Sequence, residues 1–154
     1  MKQIVFTSRI PCDSEAATPS LELEKIQAAR GRHSACGVSS LLVRRGDRLL
    51  GVLEGGRAYV DRMWAALAKD GLLDDVHVLL DHPILCREYS EVALSLIEVE
   101  TLSPRPTWAD KDLLDLDLRA AKRVLKSLRA FHGLHTEPAR ESHLRSVQVG
   151  PLRA

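Results

Sequence analysis

The sequence predicts a single α/β (α+β) domain: a mixed sheet in ferredoxin-like order, β-α-β-β-α-β-β, with two helices on one face and a C-terminal helical extension. Three observations carry this. Short apolar runs rich in Val, Ile and Leu are bounded by Gly, Pro, Asp and Ser. Two segments between those runs repeat their apolar residues at helical spacing. Ser103-Pro104-Arg105-Pro106 then closes the strand region ahead of a Leu-rich helical stripe.

Ile4-Val5-Phe6 is a β-branched and aromatic run that predicts the first strand, and the polar, Pro-containing stretch from Ser8 to Ser20 predicts a loop. Thr18 or Ser20 can accept an orphan backbone N–H, and Pro19 suits a first helical turn. With Leu23, Ile26 and Ala29/Arg30 at helical spacing, a first helix is expected over about 20 to 31, ending at Gly31. Val38 to Val43 and Leu49 to Leu53, joined by Arg44-Arg45-Gly46-Asp47-Arg48, predict a hairpin with Gly at the turn. Glu54-Gly55-Gly56 breaks the second of these strands. Tyr59, Val60, Met63, Trp64 and Leu67 then predict an amphipathic helix up to Lys69-Asp70-Gly71. Val76 to Leu80 predicts a buried strand closed by Asp81-His82-Pro83, and Val92 to Val99 predicts a further one. Right-handed crossovers then place the first and third strands side by side.

Thr107-Trp108-Ala109-Asp110 has capping-box character and predicts the start of a long tail helix, with Gly133 as its stop. Its first half would carry Asp110, Asp112, Asp115 and Asp117, and its second half Arg119, Lys122, Arg123, Lys126 and Arg129, the order that complements a helix dipole. Leu113, Leu114, Leu118, Ala121, Leu125 and Leu128 form a stripe that must bury itself against the open face of the sheet or against a second copy. The expected division is a domain over 1–100, a helical extension over 101–135 and a flexible tail over 136–154.

The 154 residues, 45% of them apolar, suffice for one core, and Lys+Arg 22 against Asp+Glu 21 leave no overall field toward nucleic acid or an anionic membrane. No apolar run approaches the roughly 20 residues of a membrane span, and Met1-Lys2-Gln3 leads straight into a strand, so a cytoplasmic protein is expected. Cys12, Cys36 and Cys86 are widely spaced and fit neither a disulfide framework nor a zinc site; reduced, mostly buried thiols are the expectation.

Ile4-Val5-Phe6-Thr7-Ser8, Cys36-Gly37-Val38-Ser39-Ser40-Leu41-Leu42-Val43, Leu53-Glu54-Gly55, Asp75-Val76-His77-Val78-Leu79 and Arg87-Glu88-Tyr89-Ser90-Glu91 follow one another in the order and spacing of a BLUF domain, over roughly residues 2 to 100. The chain resembles this family of bacterial blue-light sensors. The resemblance implies FAD held between the two helices over the central strands. It also implies a first-strand Tyr that gives an electron and a proton to the flavin, and a third-strand Gln that rearranges and passes the change to the last strand. The family positions for cofactor contact fall on Phe6, Ser8, Ile26, His33, Ser39, Gly51 and Asp70. Here the Tyr position is Phe6, the Gln position Gly51 and the flavin-holding Asn position His33, so the phenol and both carboxamides are missing. The last-strand Trp and Met positions map to Val92 and Leu94, and the basic residues near the second helix's end map near Leu72 and Leu73. Tyr59, on a helix, and Tyr89, in a turn, do not replace the missing Tyr.

The expectation is a sensory or regulatory module that is light-insensitive, with FAD weakly bound or absent. It would act on a protein partner or a second copy through the C-terminal helix and the sheet face. The alternative is a module that binds a different small ligand in the vacated pocket, marked by Phe6, His33, Gly51 and Ser39. Against a vacant pocket stands repacking by Leu41, Leu50 and Ile26. No catalytic residue is assigned: Ser39-Ser40 lacks a nucleophile elbow, no Gly-rich phosphate loop is present, and Asp74-Asp75 reads as a solvated turn. No metal is assigned: His33, with Cys36 three residues on, reads as a lone His capping a helix end or on the surface, and His132 with His135 lacks a third ligand. The run from Arg119 to Arg129 argues weakly for nucleic acid, because the predicted helix begins acidic.

Overall fold

A computed structural model describes residues 1–11, 37–69, 73–90 and 95–135, with side chains in the last stretch as far as residue 129. The strands are β1 (Lys2–Arg9), β2 (Ser39–Arg45), β3 (Arg48–Gly55), β4 (Asp74–Pro83) and β5 (Ser95–Glu98); helix α1 (Arg57–Lys69) lies between β3 and β4, and α2 (Leu118–His135) follows β5. They form one sheet in the order β4-β1-β3-β2-β5, antiparallel but for the parallel β2–β5 pair. This is the mixed ferredoxin-like arrangement the sequence predicts, with β1 beside β3. The helix expected over 20 to 31 and the opening of the strand expected from Val92 lie outside the described residues. In the β2–β3 hairpin Gly46 takes a positive φ of 57°, which a side chain there would resist.

Alternation along the strands sends one set of side chains to each face. Ile4, Phe6, Val38, Leu42, Leu49 and Leu53 pack with Val60, Met63, Trp64 and Leu67 of α1. Val5, Leu41, Val43, Leu50 and Val52 point the other way, onto Ala121, Val124, Leu125 and Leu128 of α2. The stripe on α2 is therefore buried against the open sheet face of its own chain. Fully burying one Leu or Val contributes about 1.5–3 kcal/mol, so these residues outweigh any single helix cap.

Five expectations are corrected. Val76 and Val78 are 37% and 49% exposed, because β4 is the edge of the sheet and pairs only with β1; an apolar, β-branched run reads alike for an edge and a central strand. Cys86 is exposed, since it sits in the loop between β4 and β5 rather than in a strand. The α-helix begins at Leu118 and not near Thr107: residues 107–110 form a turn and Leu113–Asp115 a single 3-10 turn. The acids expected in its first half lie before it, and two of them, Asp112 and Asp117, are cap residues. Asp112 Oδ1 accepts the Leu114 N–H at 3.0 Å, and Asp117 Oδ1 accepts the Ala120 N–H at 2.7 Å; short acids bind free backbone N–H groups better than they sit inside a helix. Gly133 does not stop the helix, which continues to His135.

Asp112 also receives Arg48 Nε at 3.2 Å, tying the start of β3 to the turn before α2. The Leu114 N–H first, and then Arg48, hold its carboxyl below the ordinary 3.8. A depressed folded value means that this contribution is complete above the unfolded value and is lost as pH falls through the folded one. In urea unfolding followed by circular dichroism, the advantage of the native chain over Asp112→Asn should hold at neutral pH. It should shrink below pH 3.8.

Candidate functional site

The face of the sheet under α1 centres on one cross-strand contact. Phe6 on β1 lies directly opposite Gly51 on β3, and Gly51 lies opposite Leu42 on β2. The Phe6 ring lies across the backbone of Gly51. An ideal Cβ at Gly51 would stand 2.5 Å from Cζ and 2.6 Å from Cε1 of Phe6, and 2.9 Å from Cδ2 of Leu42, all closer than real contacts allow. Above the ring, Trp64 of α1 packs at 4.8 Å between centroids with its plane tilted by 59°. Phe6 is completely buried.

The opposite face carries a buried polar row at the far end of the same strands. Gln3 and Ser39 flank Glu54 in register, all three buried beneath α2's side of the sheet. Gln3 Nε2 donates to Glu54 Oε1 at 2.5 Å, and the Tyr89 backbone N–H donates to Glu54 Oε2 at 2.8 Å. The carboxylate thus fastens the loop between β4 and β5 to the centre of the sheet. Arg87 in that loop donates to the Gly37 carbonyl at 2.8 Å. Burial, followed by the charges of Glu88 and Glu54, raises the Tyr89 hydroxyl above its usual range. Within Leu53-Glu54-Gly55 the three residues act separately. Leu53 fills the α1 side, Glu54 holds the loop, and Gly55 lets the Gly37 carbonyl approach to within 2.9 Å of where a Cβ would stand.

Of the residues singled out from the sequence, Phe6, Ser8 and Gly51 share the α1 face. Ser8 Oγ there is buried and has no hydrogen-bond partner among the described residues. Ser39 stands on the other face beside Glu54, so it does not line a wall with Phe6; its Oγ likewise has no hydrogen-bond partner among the described residues. Ile26, His33 and Asp70 lie outside the described residues, as do Leu72, Val92 and Leu94. Leu73 packs into the α1-side core. Leu41 and Leu50 do not fill the space at Gly51, because strand alternation turns them to the α2 side; Phe6 itself and Leu42 fill it. Sequence reading missed Leu42 and Trp64 as the ring's neighbours, and Glu54 as a loop fastener. The available signal for Glu54 was an acid set directly after the apolar run Leu49–Leu53.

An aromatic packed over glycine at the heart of a ferredoxin-like sheet, with a buried acid fastening the loop before the last strand, belongs to an α+β domain. The chain belongs to the BLUF family, sensors of blue light using FAD, whose family model matches residues 1–95. Solved structures agree on the fold. BlrB, a BLUF protein in its dark state, is 20% identical with a TM-score of 0.69, covering 84% of this chain and 96% of that one. BlsA in its ground state is 18% identical with a TM-score of 0.67, covering 83% and 87%. BlrP1 of Klebsiella pneumoniae, with FMN and cyclic diGMP, is 16% identical with a TM-score of 0.62, covering 89% of this chain but 36% of its own. No curated protein matches the chain. Among the described residues no helix is long and apolar enough to cross a membrane.

Phe6 and Gly51 supply neither the hydroxyl nor the amide that the family's exchange of proton and hydrogen bonds uses, and the Phe6 ring takes the room in which a third-strand side chain would begin. These residues do not fit that switch. The contact can be tested without a cofactor. Gly51→Ala overpacks a closed site and should cost about 1–3 kcal/mol in urea unfolding. In a Phe6→Ala background the same substitution should cost clearly less, and a double-mutant cycle measures the coupling.

Proposed function

We propose that this chain is a light-independent member of its family, a regulatory module that works by binding a protein partner and holds flavin weakly or not at all. One observation supports this reading above the others: the Phe6 ring lies where the side chain of a third-strand Gln would have to start. The remodelling is a matched pair of changes. A ring without a hydroxyl lies on a strand without a side chain, and Trp64 closes over it, so the space is packed rather than vacated. Recognition then falls to surfaces, and the helix on the far side of the sheet and the loop held by Glu54 are the elements joined to the core.

A second reading has one observation of its own. Ser8 Oγ is buried on the same face as Phe6 and has no hydrogen-bond partner among the described residues, which suits a small ligand with one polar group rather than flavin. Such a module would bind a different small molecule there.

The test is the absorption spectrum of the full chain purified in the presence of excess FAD, in the dark and under blue light. A colourless protein, or one whose residual flavin band does not move on illumination, is the expected result. Stoichiometric flavin with a reversible red shift under light would overturn the proposal. A non-flavin small molecule released from the denatured protein and found by mass spectrometry would favour the second reading.

A further inference from the structure

The charge along α2 is segregated to a degree that the whole chain is not. From Leu118 to His135 the helix holds Arg119, Lys122, Arg123, Lys126 and Arg129 and no acid, within a chain whose charges balance as a whole, 22 against 21. The acids expected to neutralise its first half lie before it, in the turn and the 3-10 segment, where Asp112 and Asp117 are engaged as caps. At 100° per residue the five cations fall within about a third of the helix circumference, opposite Ala121, Val124, Leu125 and Leu128. The apolar side is buried on the sheet, so the basic side faces out. Elsewhere Lys2, Arg9, Arg48 and Arg105 each meet a carboxylate, and Arg45 and Arg87 each meet a carbonyl. Among the described residues none of the five on α2 forms an ion pair.

We infer that the outward face of α2 is a docking surface for an acidic helix of a partner protein. The inference rests on the proposed role as a protein-binding module and names the partner's chemistry. Three features favour an acidic helix over a longer polyanion. The cations recur about once per helical turn, the spacing at which glutamates at i and i+4 repeat on a facing helix. The stripe is short, about 15 Å at 1.5 Å per residue. It also ends abruptly: Asp115 and Asp117 are exposed at its N-terminal end, so a nucleic acid strand or an anionic bilayer extending past the stripe would meet carboxylates, whereas a short helix can stop before them. Insertion into lipid is disfavoured because the apolar side of the helix is already buried in the core.

The probe is a labelled Glu–Ala helical peptide with glutamates at i, i+4 spacing, titrated with the full chain by fluorescence anisotropy in the dark and under blue light. Saturable binding is expected, weakened at least about tenfold by Lys122→Glu with Lys126→Glu, or by Arg119→Gln with Arg123→Gln should the first pair fold poorly. Charge reversal at Arg62 and Lys69, exposed on α1, should change affinity less than about twofold. Absence of saturable binding, equal loss from the α1 reversals, or tighter stripe-dependent binding to duplex DNA or phosphatidylserine vesicles would each overturn the inference. Binding that changes with light would contradict the light-independent reading while leaving the stripe assigned, so the two proposals fail separately.

Discussion

The β1–β3 ladder runs from Lys2 opposite Gly55 to Arg9 opposite Arg48 without a slip, and the rest of the structure depends on that register. With two central strands locked pair by pair, alternation decides which side chains meet α1 and which meet α2. It also forces Phe6 and Gly51 to share one spot on one face, so the identity of each residue limits the other. A side chain at Gly51 requires the ring to leave, and a ring at that angle requires glycine. By contrast β1 slips twice against β4, at Val5/Phe6 and at Thr7/Arg9, which suits an edge strand that carries little of the core.

The middle and the end of the same ladder are built differently. In its middle the α1 face is an apolar contact of Phe6, Leu42 and Trp64. Near its Gly55 end the α2 face buries a charge, and Glu54 offsets the cost of desolvation with two short hydrogen bonds, one of them to the backbone of the loop before β5. Packing and backbone geometry thus give each residue of Leu53-Glu54-Gly55 a structural role here.

Most of the fold was legible because period-two and period-3.6 patterns separate cleanly before residue 100, and the Gly46 turn marks the hairpin. What was misread has physical reasons. Val76 and Val78 look like core residues because sequence does not distinguish an edge from a centre. The run Asp112-Leu-Leu-Asp-Leu-Asp117 looks like an acidic helix start, yet each cap acid can as well end a turn, and two of them divided the segment. That misreading had hidden the charge of α2. At the candidate site, Phe6 and Gly51 could be identified from motif spacing alone, but the ring lying across the glycine could not, since it depends on β1 pairing with β3. Ser39 was placed by motif, and the alternation of β2 puts it on the other face.

Under the proposed reading, a ring without a hydroxyl packed on a strand position without a side chain makes this chain a scaffold in which packing stands where the family's switch would act. The most direct measurement is the nuclear Overhauser effect between the Phe6 ring protons and the Gly51 α-protons, recorded with and without excess FAD. A strong effect, the same in both samples, is predicted. An effect that disappears when FAD is added, replaced by contacts between isoalloxazine and the β1–β3 strands, would contradict the closed, packed contact.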